Sequence, residues 1–286
     1  LRRNALRAMA TDMTPKIMIL TGCASGIGRH LTGVLATRGH KILATDVNEE
    51  ALGREAKARG WDRARVELRK LDVRSEADWE AAFDATERAF GELDVLLNIA
   101  GYLQPAYVQD IAAKDLDLTI DVNVKGVVLG TRAAARRMIP KRTGHIVNVG
   151  SLASLTPVPG LSIYAASKFA VRGFTLSAAF ELKRHGIAVT LVMPDAVDTP
   201  MLDKQIGYEE AAMTFSGPRA LTVEDIEKAI VEEVLPHRPL EIALPPSRAA
   251  IARLATAAPA AVQRLAPLFV KMGRKKQEKI KHGKGS

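Results

Sequence analysis

Seven apolar runs of strand length recur along the chain: Ile17–Leu20, Ile42–Ala44, Val66–Leu71, Val95–Leu97, Ile146–Val149, Val189–Val192 and Ile242–Leu244. They are rich in Val, Ile and Leu and mostly unalternated, as strands buried on both faces are. Longer segments with helical periodicity separate them: Ile27–Arg38, Glu49–Arg59, Glu76–Phe90, Leu116–Met138 and Tyr164–Arg184. Strict alternation of this kind predicts an α/β fold with a parallel sheet, right-handed crossovers and helices on both faces. A hydrophobic fraction of 47% in 286 residues supplies the core such a sheet needs.

No repeat or linker interrupts the alternation, so a single domain is expected over residues 16–245. Residues 1–15 read as an N-terminal extension, either disordered or a remnant of expression. Residues 195–220 read as irregular, punctuated by Pro200 and Pro218, near the edge where an open sheet presents its ligand crevice. Residues 246–286 read as a helical extension with a basic tail. Ile251, Leu254, Val262, Leu265, Leu268 and Phe269 recur there at helical spacing, with Pro259 and Pro267 expected to interrupt.

Charge is uneven. The formal total is +9, yet residues 1–16 hold +3 and residues 264–286 hold +7, which leaves −1 for residues 17–263. A nearly neutral body argues against nucleic acid as a partner. The basic end suits solvent or an anionic membrane surface. No apolar run reaches the ~18 residues a membrane-spanning helix needs. The one cysteine, Cys23, allows no internal disulfide and fits a reducing compartment, so a cytoplasmic location, peripheral to a membrane at most, is the expectation. The histidines and this cysteine show no ligand spacing, and no metal site is expected.

The first strand runs into "TGCASGIGRHL", a turn with Gly22, Gly26 and Gly28 that opens a helix. Glycine serves where backbone takes positive φ or approaches a ligand closely. The helix start beyond offers free N–H groups to a pyrophosphate. Asp46 ends the second strand, where an acid would accept hydrogen bonds from an adenosine ribose and repel a 2′-phosphate. The same aspartate could instead cap the helix beginning near Asn48. Arg29, His40 and Lys41 are the nearby cations. NAD is therefore favoured, with NADP as the alternative.

"SIYAASKFA" places Tyr164 and Lys168 at i and i+4. On a helix, side chains at that spacing share one face, roughly 5–6 Å apart at Cβ. A phenol with a pKa near ~10 becomes a usable acid and base when a cation stands one turn away. Ser151, thirteen positions upstream and just past the fifth strand, could hold a substrate oxygen. Asn123 is a polar amide in the middle of a helical pattern, where such a residue is ill-suited unless it has a task.

Together "TGCASGIG", "LNIAG", Asn123, Ser151 and "YAASK" resemble the short-chain dehydrogenase/reductase family over residues 16 to about 245. The resemblance implies a Rossmann-like, doubly wound sheet of seven strands in the order 3-2-1-4-5-6-7. It implies that Thr21, Gly22, Ser25, Gly26, Ile27 and Gly28 form the cofactor turn. Asp46 would bind the ribose, and Asp72 and Val73 the adenine. Asn98, Ala100 and Gly101 match the family's "NNAG" turn, with Ile99 in place of its second Asn. Asn123, Ser151, Tyr164 and Lys168 match its catalytic tetrad, Lys168 also holding the nicotinamide ribose. Asn123 would position a water linking Lys168 to solvent. Pro194, Val197 and Thr199 fit the segment after the sixth strand, where Asp195 stands in place of a glycine.

The expected activity is interconversion of a secondary alcohol and a ketone or aldehyde. Candidate pocket walls are Tyr102, Leu103, Leu152, Leu155, Val158, Leu161, Met201, Leu202, Ile206, Met213 and Phe215, an apolar set that suits a small hydrophobic substrate. The resemblance implies a homodimer or homotetramer built on the two long helices. Residues 264–286 could cap the pocket, cross to a neighbour or contact a membrane peripherally. Two other readings remain open at this point: a dinucleotide-binding redox sensor without turnover, and a membrane-associated scaffold.

Overall fold

The computed structural model describes residues 14–283. Most of the N-terminal extension, and residues 284–286 of the basic tail, lie outside the described residues. Seven strands, β1 (Ile17–Thr21), β2 (Lys41–Asp46), β3 (Val66–Lys70), β4 (Val95–Asn98), β5 (Gly144–Val149), β6 (Ile187–Pro194) and β7 (Glu241–Leu244), form one sheet. Their order is β3-β2-β1-β4-β5-β6-β7, and every pairing is parallel. This is the doubly wound sheet that the alternation predicted.

The crossovers are α1 (Gly26–Thr37), α2 (Glu49–Ala58), α3 (Glu76–Phe90), α4 (Ala113–Ile120), α5 (Gly126–Lys141) and α6 (Ser162–Lys183). Successive strand residues point to opposite faces. Thus Met18 and Leu20 of β1 pack with Leu31 and Leu35 of α1 and Leu52 of α2. Ile19 points the other way and packs with Trp79 and Phe83 of α3 and Met138 of α5. All three β1 residues are fully buried. Burial of each such side chain contributes about 1.5–3 kcal/mol, which fixes the register.

Three local expectations change. Leu116–Met138 is not one regular helix: α4 passes through a π-helical stretch, Asp121–Lys125, before α5. The extra residue in that turn sits around Asn123, whose amide bonds outside the helix, a common cause of such bulges. Residues 195–220 are not irregular throughout. They hold α7 (Pro200–Gln205), started by a proline that needs no donor at that position, and a 3₁₀ segment, Glu209–Ser216. After β7 come α9 (Pro246–Ala257) and α10 (Pro259–Gly283), the stretch between β6 and β7 having supplied α8 (Val223–Ala229). Pro267 does not break α10, whose inner side is held against the body from Phe269 onward.

That hold is specific. A Cβ on Gly273 of α10 would lie 1.8 Å from the Ala212 carbonyl oxygen, so only glycine lets the helix reach the 3₁₀ segment. One turn on, the buried Gln277 amide donates to the carbonyls of Gln205 (3.0 Å), Ile206 (3.1 Å) and Tyr208 (2.7 Å). Ala249 and Ala252 of α9 join Leu191 and Met193 of β6 in a third apolar cluster.

Candidate active site

The sheet's strand order reverses between β1 and β4, and at that switch point the strand ends diverge to leave a crevice. A cleft of about 630 Å³ opens there, and its lining includes Gly22 and Asp46 as well as Phe269. The glycine turn forms its floor. Gly22 and Gly26 take φ of 74° and 51°. A Cβ on Gly28 would lie 2.3 Å from the Gly22 carbonyl oxygen. The helix α1 starts without a side-chain cap from Ser25 and without an acid in its first turn. Its N–H groups and positive end are therefore left for an anion. These features fit a dinucleotide's pyrophosphate.

Ser25, Ile27, Asp46, Asp72, Val73, Ala100, Gly101, Pro194, Val197 and Thr199 all line the cleft, as do Ser151, Tyr164 and Lys168. Thr21 and Asn98 do not. The Thr21 hydroxyl accepts the backbone N–H groups of Ile99 (2.9 Å) and Ala100 (3.0 Å), tying β1 to the turn after β4. Asn98 is buried and donates to Asn148 Oδ1 at 2.8 Å. Both hold the wall from behind, and their spacing in the sequence could not distinguish that from contact.

Asp46 accepts from the N–H of Ala24 in the glycine turn (2.9 Å) and from that of Asn48 (2.9 Å). The α2 cap is Asn48, whose side chain accepts from Ala51 at 3.0 Å. Asp46 thus does not cap the helix. The three nearby cations turn elsewhere: Arg29 pairs with Glu55 (3.1 Å), Lys41 lies over the Phe90 ring and His40 is buried. Arg74, which the motifs did not single out, also lines the cleft and grips Asp72 through two nitrogens. Its guanidinium holds the Asp72 carboxyl below the usual carboxylate range.

Tyr164 and Lys168 share one face of α6, with Lys168 Nζ 5.6 Å from the phenol ring centroid. The buried ammonium donates to the Val149 carbonyl at 3.0 Å. Burial pulls Lys168 down to about 8. Burial also pushes the phenol up to about 12, against the Ser151 hydroxyl, which lowers it. Desolvation of the phenol therefore outweighs the cation in this geometry, contrary to the simple expectation of a depressed phenol. Ser151 starts a short 3₁₀ turn after β5 and accepts from the Ala153 N–H at 3.1 Å.

Asn123 is fully buried and off the cleft wall. Its Oδ1 accepts from the Tyr102 N–H (2.7 Å), and its Nδ2 donates to the Tyr102 carbonyl (2.9 Å) and to Ser167 Oγ (3.0 Å). A Cβ on Gly101 would come 3.4 Å from Asn123 Oδ1 and 3.9 Å from Lys168 Nζ. Gly101 thus lies beside both groups, at ordinary van der Waals distance.

Of the expected substrate walls, Tyr102, Leu103, Leu152, Val158, Leu161, Met201, Leu202 and Met213 line the cleft. Leu155 and Phe215 are buried in the body instead, and Ile206 also lies off the wall. The extension adds Ile251 of α9 and Leu265 and Phe269 of α10. It also adds Arg248, which pairs with Asp195. Among the described residues, no group of three or more His, Cys, Asp or Glu side chains could hold a metal ion.

A family model for short chain dehydrogenase matches residues 16–209. The chain belongs to the short-chain dehydrogenase family. It is 36% identical over 207 residues to a cyclopentanol dehydrogenase of Comamonas testosteroni, covering 72% of this chain and 82% of that one. It is 37% identical over 195 residues to a 3-alpha-(or 20-beta)-hydroxysteroid dehydrogenase of Mycobacterium tuberculosis, covering 68% and 74%. A short-chain dehydrogenase/reductase from Burkholderia phymatum, solved in complex with NAD, superposes with a TM-score of 0.77 at 28% identity, covering 87% of this chain and 96% of that one. As a member of the family, this protein is an NAD(P)-dependent oxidoreductase acting on CH–OH groups.

Proposed function

We propose that the protein interconverts a hydrophobic secondary alcohol and its ketone (or a primary alcohol and its aldehyde), with Tyr164 as acid and base and NAD preferred over NADP. The observation that carries this reading is the convergence of Tyr164, Lys168 and Ser151 on the cleft that starts at the glycine turn. A bound nicotinamide would supply the hydride acceptor or donor. The chain's own residues do the rest.

In oxidation, the Ser151 hydroxyl holds the substrate oxygen and Tyr164 Oη takes its proton. In reduction, the phenol returns the proton to the developing alkoxide. Lys168, one turn away, favours the phenolate and would hold the cofactor's ribose hydroxyls. Asn123 acts as a positioning residue, fixing Tyr102 and Ser167 beside the lysine. Gly22, Ser25, Gly26, Ile27 and Gly28 would cradle the pyrophosphate, with Asp72 and Val73 at the adenine. Asp46, with Arg29 and Lys41 both engaged elsewhere, leaves a 2′-phosphate facing a carboxylate.

The substrate walls are apolar, and the arginine among them, Arg248, is already paired. That favours an uncharged, hydrophobic substrate over an anionic one. The names of the two dehydrogenase relatives favour a ring-bearing alcohol. Leu116 and Ile120 of α4 and Phe169 and Phe180 of α6 stay exposed, which favours a homo-oligomer covering them.

The test is direct. Purified protein with NAD and a panel of secondary alcohols, cyclopentanol and a hydroxysteroid among them, is followed at the absorbance of reduced nicotinamide. Tyr164→Phe should retain NAD binding and lose at least about 10²-fold in turnover. Turnover unchanged by that substitution would end the assignment.

A further inference from the structure

The helix α10 carries two stripes. The inner one, Phe269, Gly273, Gln277 and Ile280, faces the body: Gly273 and Gln277 are buried and the other two half-buried. The outer one, Leu265, Leu268, Met272, Lys275 and Lys279, follows the i, i+3, i+7, i+10, i+14 spacing of a single helix face. All five are exposed. It begins apolar and ends basic. Leu265 is 51% exposed and yet lines the cleft; Ile251 of α9, at 57%, does the same. Leu254, 70% exposed, follows Ile251 at i+3.

Exposed apolar side chains at a cleft mouth lose their contact with water only when something covers them. The charge beside them points to what that is. Arg264, Lys271, Lys275 and Lys279 flank the apolar residues, and none forms an ion pair among the described residues. By contrast, Arg274, on another side of the helix, pairs with Glu209. Apolar residues beside unpaired lysines on one helix face match an interfacial anchor: the leucines enter the headgroup boundary and the ammonium groups reach lipid phosphates. A parallel, symmetric second copy fits poorly, because Lys275 and Lys279 would meet their own copies at the contact. Among the described residues no helix is long and apolar enough to cross a membrane; an amphipathic face of this kind lies in the surface plane.

We infer that the outer face of α10, with Ile251 and Leu254 of α9, seats the cleft mouth on an anionic lipid surface, so that a lipid-dissolved alcohol or ketone enters the cleft from the bilayer. The docking stands on α9 and α10 alone. Only the entry of substrate rests on the oxidoreductase reading.

The experiment is co-sedimentation of the full chain with vesicles of phosphatidylcholine, with and without phosphatidylglycerol, at low and high salt and without cofactor or substrate. The protein should sediment with the anionic vesicles and be released by salt. Lys275→Gln with Lys279→Gln should weaken partitioning about 30-fold, at ~1 kcal/mol per lysine near an anionic surface. The same placement tells α10 apart from the arginines of the N-terminal extension. Leu254→Ser, Leu268→Ser and Met272→Ser together should also abolish sedimentation, while oxidation of cyclopentanol in buffer stays unchanged. The inference is overturned if the protein remains in the supernatant with anionic vesicles at low salt. It is equally overturned if the variants sediment like the parent, or if the triple substitution changes the oligomeric state and leaves sedimentation unaltered. None of the sedimentation readouts depends on turnover, so failure there leaves the oxidoreductase assignment standing, and the reverse.

Discussion

The carboxylate of Asp195 and the guanidinium of Arg248 form an ion pair that joins the end of β6 to α9. It joins Asp195, where the resemblance implied a glycine, to an arginine from the extension beyond the sheet. The acid draws its partner into the cleft, so the charge it brings is cancelled there. Burial pushes the Asp195 carboxyl up, and Arg248 opposes that shift.

Removing either partner should therefore cost more than removing both. Arg248→Met or Asp195→Asn alone should lower unfolding free energy by about 2–3 kcal/mol, since a partly buried group loses its counter-charge. The pair Asp195→Asn with Arg248→Met should recover over half of that loss. Urea unfolding of the four proteins measures the coupling. Strict additivity would show that the two residues act independently.

The pH dependence of turnover follows from the phenol and the lysine. With Tyr164 near 12, the base form is scarce at neutral pH, so kcat/KM for alcohol oxidation should rise with pH. The rise should flatten above about 8, where Lys168 loses its charge. Ketone reduction uses the protonated phenol and should fall across the same alkaline range as the lysine discharges. Steady-state rates in both directions, from pH 6 to 10, check this.

Acid should destabilise the fold through His145. It is buried, its Nε2 lies 2.9 Å from Thr190 Oγ1, and burial lowers it to about 3. The unfolded imidazole titrates near ~6.5, so between these values the unfolded chain binds more protons. Stability from this group is therefore full above about 6.5 and lost as pH falls toward 3, with a slope of up to about 1.4 kcal/mol per pH unit. His145→Gln should reduce the slope, read from urea midpoints across that window.

Gln277 gives a separate prediction. Replacing it with Ala takes the side-chain donor from the carbonyls of Gln205, Ile206 and Tyr208, and the first and last keep only the backbone N–H groups of Tyr208 and Ala211. Hydrogen exchange should quicken across residues 205–216 and α10. KM for a bulky hydroxysteroid should rise several-fold while NAD binding holds, because Gln277 bonds to Gln205, Ile206 and Tyr208 and to no residue of the glycine turn. Unchanged exchange would mean that the inner stripe of α10 holds without the amide.

Much of this was legible in the sequence, for a physical reason. Strands buried on both faces must be apolar throughout, so Met18, Ile19 and Leu20 announce β1 on their own. The glycine turn and the Tyr164–Lys168 spacing are local, and local geometry survives folding. What escaped was non-local. Nothing near Asp195 predicts Arg248, and nothing near Gln277 predicts three carbonyls some seventy residues earlier. The π stretch at Asn123 depends on the Tyr102 backbone, and the passage of α10 through Pro267 depends on packing at Gly273. Thr21 and Asn98 match the motif but serve behind the wall, a distinction that spacing cannot make.

The clamp at Gln277 has a consequence for biosynthesis. Tyr164 and Lys168 leave the ribosome roughly a hundred residues before Phe269 and Gln277 do, a delay of seconds at about 5–20 residues per second. During that interval β6 and β7 join the sheet, and the α10 wall of the cavity is translated only after both. That wall is thus the last part of this fold to be made, and a chain clipped before it should keep the glycine turn and Tyr164 while its cavity stands open on that side.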